Sequence, residues 1–375
     1  MNNNLLNMKG PLHLVQAIEE RKRKGLFRSL KSEYPAIDFS SNDYLGFSKE
    51  GLIEKKIKQL GLSTASSGSS GSRLISGNSQ FTEKLEKELS GFHSAESALL
   101  FNSGYDANVG LISSIPTKRD LVLYDELVHA SIHDGVRLSF AKSYKIRHND
   151  VDHLKRMIER NLPVVDTIYV VVESVYSMDG DCAPLKEIVK LCDNKKVFLI
   201  VDEAHAIGVF GKNGRGLCNE LGIEEKCFAR VYTYGKAMGC HGAAVVGNTT
   251  LRDYLINFAR SFIYTTALPL NSLYCIKAAY ELLKEEKNSK TLRENIKYFR
   301  SLTKDFIESS SAIQCKLFPG NHNVDVIEKK FEKAGMFVKG IKSPTVKEGA
   351  ERVRICLHAF NTKEEINNIA EIINE

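Results

Sequence analysis

Short apolar runs rich in β-branched residues recur along this chain, separated by stretches with helical spacing. Ser97–Phe101, Asp120–Tyr124 and residues 166–173, 197–202, 229–233 and 242–247 each read as a buried strand. A helix is predicted over 80–91. Another is predicted over 12–32, where Leu12, Val15, Ile18, Leu26, Phe27 and Leu30 share one face and Pro35 closes the segment. Continuously apolar strands alternating with helices imply an α/β fold with a mostly parallel central sheet covered on both faces. After Pro269 the pattern changes to a helix-rich stretch, 270–310, and then to a smaller α+β part ending in a helix over 363–374. The expected organisation is an N-terminal segment, 1–45, a large α/β domain, 46–265, and a small C-terminal α+β domain, 266–375.

Residues 63–79 are rich in Ser and Gly, as a flexible linker would be. The stretch lies inside a continuous α/β pattern, so a loop near a site is the better reading. Internal repeats and low-complexity tracts are absent from the sequence.

A chain of 375 residues can bury a large core and form more than one domain. Its net charge of +6 is spread without a dense basic stripe, which argues against a nucleic-acid partner. The strongest cluster, Arg21-Lys22-Arg23-Lys24, reads as a solvated helix face. None of the eight cysteines forms a Cys-x-x-Cys pair, as expected of reduced thiols in a cytosol. Residues 1–10 lack the apolar stretch of a signal peptide, and no run approaches the roughly 20 apolar residues of a membrane span. A cytoplasmic protein with no membrane partner is expected.

The chemistry gathers around Lys236. It lies in Thr233-Tyr234-Gly235-Lys236, just past one predicted strand, and Asp202 ends the strand before it, with His205 three residues on. A lysine there can form a Schiff base with an aldehyde cofactor. A carboxylate beside it can hold a proton on the ring nitrogen of pyridoxal phosphate (PLP), making the ring an electron sink. Asp202-Glu203-Ala204-His205 also spells a box found in nucleotide-driven motors. That reading needs a phosphate loop, and the candidate, Gly235-Lys236, is followed by Ala237 and has Arg230 in the first glycine's place. His129 and His133 stand at i,i+4, as zinc ligands can, but no third ligand is evident, so no metal is expected. Asn102-Ser103-Gly104-Tyr105 follows a strand and opens a helix, a place where free backbone N–H groups can hold a phosphate.

Taken together, these segments resemble the α-oxoamine synthases, a family of fold-type I PLP enzymes. The likeness runs through Ser41-Asn42-Asp43-Tyr44-Leu45-Gly46, Gly71-Ser72-Arg73-Leu74-Ile75-Ser76-Gly77, Asn102-Ser103-Gly104-Tyr105, His129-Ala130-Ser131, Ser177-Met178-Asp179-Gly180-Asp181, Asp202-Glu203-Ala204-His205, Thr233-Tyr234-Gly235-Lys236 and Ser343-Pro344-Thr345-Val346. The resemblance implies that Lys236 carries the Schiff base, Asp202 faces the pyridinium nitrogen, His205 bonds the phenolic oxygen and His129 stacks on the ring. It also implies that Ser103, Gly104, Tyr105, Ser177 and Thr233 surround the cofactor and its phosphate. Thr265 and Thr266 are implied to reach the phosphate of a neighbouring subunit in a homodimer. Arg354 matches the arginine that clamps the amino-acid carboxylate, and Asn42, Thr345 and Arg28 match substrate-side positions.

Members of such a family join an amino acid to an acyl-CoA, or to the same acyl group on a carrier protein, with loss of CO2. Residues 41–46 and 71–77 look most like the members that use alanine and a pimeloyl thioester. Glycine with acetyl-CoA is the alternative, and a non-catalytic PLP-fold binding module stands as a third reading. Thr82 departs from the family pattern, which often has histidine there, and 311–330 matches weakly. Both departures bear on the acyl pocket rather than on the cofactor set.

Overall fold

The computed structural model describes residues 11–30, 32–62 and 67–375. Residues 1–10, read above for a leader, and 63–66 of the Ser/Gly-rich stretch lie outside the described residues. The chain divides into two compact units, Met1–Ala36 and Ile37–Glu375. The described part of the first unit holds the helix Leu12–Arg23. It is shorter than the predicted 12–32. Lys24 caps it, and Gly25 turns to φ +65°, a conformation that favours glycine and ends the helical path. Leu26, Phe27 and Leu30 therefore fall beyond the helix, and Arg28 lies in this unit on exposed chain.

The second unit is built on strands β1 (Ile37–Asp38), β2 (Ser97–Phe101), β3 (Leu121–Asp125), β4 (Lys142–Ile146), β5 (Ile168–Glu173) and β6 (Val197–Asp202). These are followed by β7 (Ala229–Thr233), β8 (Ala243–Gly247), β9 (Ile313–Leu317), β10 (Met336–Phe337), β11 (Lys339–Ile341) and β12 (Arg352–Cys356). Seven strands form the main sheet in the order β2-β8-β7-β6-β5-β3-β4. Only β8 runs against the direction of the other six strands, so the sheet is mostly parallel, as the apolar runs imply. Every residue of β3 is buried, and β5, β6 and β7 are nearly so.

The reading of the sequence missed β4. Its residues, Lys-Ser-Tyr-Lys-Ile, are mostly exposed because the strand closes one edge of the sheet, so burial imposes no apolar run on it. The C-terminal part carries its own antiparallel sheet, β11-β12-β9, and ends in the helix Lys363–Asn374, started by a capping box of Thr362 and Glu365. Two helices, Leu270–Lys284 and Lys287–Leu302, fill the predicted helix-rich stretch.

Two short connections place the residues of interest. The first joins β7 to antiparallel β8 and carries Lys236. Tyr234 N–H donates to Gly242 O at 3.0 Å, Cys240 N–H to Tyr234 O at 3.0 Å, and Gly239 N–H to Lys236 O at 2.8 Å. The second, 174–182, follows β5 and docks on the C-terminal sheet. Gly180 O accepts from Ser309 Oγ at 2.7 Å and from Ser311 Oγ at 2.9 Å. Gly180 has φ +75°, and a Cβ there would lie 2.2 Å from Ile313 O, so a side chain at 180 would push the loop off that sheet. No helix of the described residues is long and apolar enough to cross a membrane.

Candidate active site

Parallel strands end on the same side, and a sheet of this kind opens its ligand crevice at those carboxyl ends. Here β5 ends at Glu173, β6 at Asp202 and β7 at Thr233, with Lys236 in the turn beyond. Glu173 and Asp202 are neighbours in register. Both are buried, so two carboxylates share a poorly hydrated site with one amine.

Lys236 Nζ lies 2.6 Å from His205 Nε2. Burial pushes the amine down to about 8, with Arg354 adding to the effect and the Asp202 and Glu173 charges opposing it. Burial pushes Glu173 up to about 8, and the Asp202 charge adds to that rise. His205 is held well below its ordinary value by burial and by the charges of Lys236 and Arg354, so the ring is neutral.

Asp202 is fixed from two sides. Asn108 Nδ2 donates to its Oδ2 at 2.7 Å, and Ala204 N–H donates to its Oδ1 at 2.9 Å. Asn108 also donates to Ser131 Oγ at 3.0 Å, and Ser131 Oγ lies 2.8 Å from His129 Nδ1. His129 is the N-cap of the helix Ala130–Leu138, and its own N–H donates to the Glu173 carboxylate. Its pKa is lowered by burial first and by Lys236 second. His133, one turn on, meets Tyr124 edge-on at 5.4 Å. Among the described residues no three His, Cys, Asp or Glu side chains are placed to hold a metal.

The helix Gly104–Ser114 points its N-terminus at the end of β7. Ser103 caps it by accepting from Asp106 N–H at 3.1 Å, which leaves the N–H groups of Gly104 and Tyr105 without an intrahelical acceptor. A Cβ on Gly104 would lie 2.1 Å from Thr233 Oγ1, so only glycine lets the helix start come this close to the strand end. Tyr105 reaches away to Asp134.

On the C-terminal side, Arg354 lies in the middle strand of the small sheet. Its Nε donates to Ser177 O at 2.8 Å and its Nη2 to Asn42 Oδ1 at 3.0 Å. Tyr44 fills the gap between Asn42 and His205, so the line Arg354, Asn42, Tyr44, His205, Lys236 is hydrogen-bonded throughout. Thr345 and Ser177 share with His129 the wall of an open cavity of about 820 Å³.

Thr265 and Thr266 stand apart from this group, beside Asn102, whose Nδ2 donates to Thr265 Oγ1 at 2.9 Å and to Thr266 O at 2.8 Å. Their loop is tied to the described part of the Ser/Gly-rich segment by Ala267 N–H to Gly71 O at 2.9 Å and Ser69 Oγ to Leu268 O at 2.7 Å. Arg73 in that segment makes a two-pronged pair with buried Glu86 at 2.8 and 3.2 Å.

Four residues of the site escaped the reading of the sequence in any individual role: Tyr44, Asn108, Ser131 and Glu173. Glu173 left a signal, since like Asp202 it is a carboxylate ending an apolar strand. Asn108 and Ser131 left none, because each acts only through residues distant along the chain.

A family model for class I and II aminotransferases matches residues 34–373 of this chain. An 8-amino-7-oxononanoate synthase of Emericella nidulans is 44% identical over 387 aligned residues, covering 96% of this chain and 94% of that protein. Among solved structures, an 8-amino-7-oxononanoate synthase from Francisella tularensis superimposes with a TM-score of 0.74 at 30% identity, over 90% of this chain and 96% of that one. A serine palmitoyltransferase from S. paucimobilis, solved with bound PLP, superimposes with a TM-score of 0.82 at 25% identity, over 96% and 95%.

Proposed function

The chain belongs to the aminotransferase class I and II family, and from that premise we propose that it joins L-alanine to a pimeloyl thioester with loss of CO2, as an 8-amino-7-oxononanoate synthase of biotin biosynthesis does. The observation that carries the reading is one hydrogen-bonded line with an amine kept below its ordinary pKa at one end and a guanidinium aimed by two oxygens at the other. The first suits an aldehyde; the second suits an amino-acid carboxylate.

PLP is the cofactor, and its chemical groups match the residues present. An aldehyde has Lys236, a ring nitrogen has the anchored carboxylate of Asp202, and a phosphate has the open N-terminus at Ser103–Tyr105 with the Thr233 hydroxyl beside it. When bound, PLP supplies an electron sink for the amino acid's α-carbon. Asp202 would keep a proton on the ring nitrogen, and the Asn108 and Ala204 bonds hold its carboxylate still. His129, fixed at its helix cap through Ser131 and Glu173, would cover one ring face. His205 would bond the phenolic oxygen. Arg354 would take the substrate carboxylate in two parallel bonds, and the free Lys236 amine would remove the α-proton. Ser177 would stand beside the cofactor, and Asn42 and Thr345 beside the substrate.

Arg28 is proposed as the partner of the pimeloyl chain's far carboxylate, on the strength of the N-terminal resemblance. A homodimer is proposed as well, with Thr265 and Thr266 turned to the neighbour's phosphate. Exposed Leu74, Ile75 and Tyr264 on the two tied loops support it, since a group of large apolar side chains in water marks an interface. The main sheet and the C-terminal sheet would then be the frames of a cofactor domain and a smaller domain that part near residue 265. Eight free cysteines fit a reducing cytoplasm.

Competition among donors tests the substrate. The kcat/KM for L-alanine with a pimeloyl thioester is expected to exceed that for glycine or serine, and that for acetyl-CoA. If glycine with acetyl-CoA is turned over faster, the chain is a glycine C-acetyltransferase instead.

A further inference from the structure

The connection after β5 folds as a narrow hairpin. Val175 and Cys182 pair across it, Tyr176 N–H donates to Asp181 O at 3.0 Å, and Gly180 N–H donates to Tyr176 O at 2.8 Å. Its tip belongs to the C-terminal sheet. Ser177 O accepts from Arg354 Nε at 2.8 Å, Met178 O accepts from Cys315 Sγ at 3.1 Å, and Asp179 pairs with Arg352. Its base belongs to the main sheet, where Ser174 N–H donates to Asp202 O at 2.9 Å. Asp181 ties that base a second time. His148 Nε2 lies 2.9 Å from its Oδ2, and Asn149 Nδ2 donates to the same oxygen at 2.7 Å. On its other side, His148 Nδ1 lies 2.9 Å from Asp125 Oδ1 at the end of β3. Burial opposes a charge on this ring, but the two carboxylates push it up to about 9, so at neutral pH both nitrogens carry protons and both donate.

The hairpin therefore spans the two frames of the site. An amino acid carries its amino group and its carboxylate on one carbon, so the distance between them is fixed. On the reading above, the amino group goes to the Lys236 side and the carboxylate to Arg354. The first is carried by β6, β7 and the turn beyond, the second by β12. The spacing of the two frames then decides whether both ends can be engaged at once. Two of the guanidinium protons of Arg354 are spent on its direction, one on Ser177 O at the hairpin tip and one on Asn42 Oδ1. A hairpin whose base shifts carries Ser177 with it and turns the guanidinium.

We propose that His148 is a positioning residue for the amino-acid carboxylate: by bridging Asp125 of the main sheet and Asp181 of the hairpin, it holds Ser177 O, and through it Arg354, at the spacing the substrate needs. Neither His148 nor Asp181 lines the cavity that His129 and Thr345 share, so an effect of either on binding passes through the hairpin. His148→Asn keeps a donor near Asp125 and has none that reaches Asp181. Asp181→Ala withdraws the acceptor from the hairpin side. Both changes break the same link, so both should act in the same direction, and the double variant should act no further than the single ones.

The inference rests on the carboxylate role proposed for Arg354 but not on the choice of acyl donor, and no donor enters its test. L-Alanine, and L-alaninol with the same skeleton and no carboxylate, are titrated into the holoenzyme at neutral pH. Their dissociation constants are read from the change in the cofactor's visible absorbance. His148→Asn and Asp181→Ala are each expected to weaken L-alanine about tenfold and to leave L-alaninol within about twofold of wild type. The two changes lie on different elements, so if one variant fails to fold the other decides. Equal weakening of both ligands, or of neither, overturns the proposal. Arg354→Gln is the reference and should weaken L-alanine alone, by about 100-fold. If it does not, the carboxylate reading of Arg354 fails and the proposal falls with it. If it does while the other two variants bind L-alanine as wild type does, only the role of His148 falls.

Discussion

Two cations, one inside β7 and one in the turn after it, have opposite surroundings. Arg230, inside the strand, is 2% exposed. Its Nη1 reaches Glu224 and Tyr232 Oη, both at 3.1 Å, and its Nη2 reaches His93 O at 2.7 Å. Behind it His93 stacks on Tyr232 at 3.8 Å and meets Tyr280, which donates to Tyr234. Lys236, just past the strand, touches one neutral imidazole and feels two carboxylates through space. Arg230 has lost its water, and Lys236, half-buried, has lost part of it. Arg230 has regained partners, so its charge is secure and its role is to join elements. Lys236 has not, so its amine sits near neutrality and is available to react. Saturation of donors, more than burial itself, separates a structural cation from a chemical one.

The sharpest way to test this contrast is Lys236→Ala. Turnover is expected to fall by about 10³-fold or more, since both the covalent link and the base are lost. The denaturation midpoint should be no lower than in wild type, because a half-buried, under-partnered cation adds no stability. A variant that keeps most of its rate ends the assignment. Arg230→Met should do the reverse. It strands the Glu224 carboxylate and the His93 carbonyl, at a cost of about 3–5 kcal/mol in urea unfolding, while turnover per folded chain stays within a few-fold. If that turnover falls as far as it does in Lys236→Ala, the contrast between the two sites fails.

A third cation gives the smallest effect. His148 joins Asp125 at 2.9 Å through Nδ1 and Asp181 at 2.9 Å through Nε2. Burial opposes its charge, but the two carboxylates prevail and push it up to about 9. A pKa raised on folding lends stability that is complete below the ordinary value of 6.5 and is lost as pH rises through 9. The wild-type unfolding midpoint should therefore decline across that interval, and His148→Gln should flatten the decline. An identical pH profile in the two proteins would show that the pair adds nothing.

Much of the fold could be read from the sequence where burial dictated composition. β5 and β6 are apolar because every face of them is covered. β4, at an open edge, could vary freely and was invisible. The residues gathered where β6 and β7 end lie in short segments after strands, where chemistry-bearing types stand out singly, so Lys236, Asp202 and His205 could be singled out together in advance. Their supports could not. Asn108 reaches Asp202 across 94 positions, and Arg354 reaches Asn42 across 312, so only the folded chain brings these pairs together.

The turn that carries Lys236 also bears on the timing of the reaction. It joins adjacent antiparallel strands and is cross-tied at Tyr234, Gly239 and Cys240. The backbone beneath the lysine is therefore stationary, and leaving and regaining a partner takes only rotation about side-chain bonds. Exposed side chains rotate in picoseconds to nanoseconds, loops move in nanoseconds to microseconds, and domains move more slowly still. On the role proposed for Lys236, its departure and return call for no movement of the turn itself, so any backbone motion that limits turnover belongs to another part of the protein.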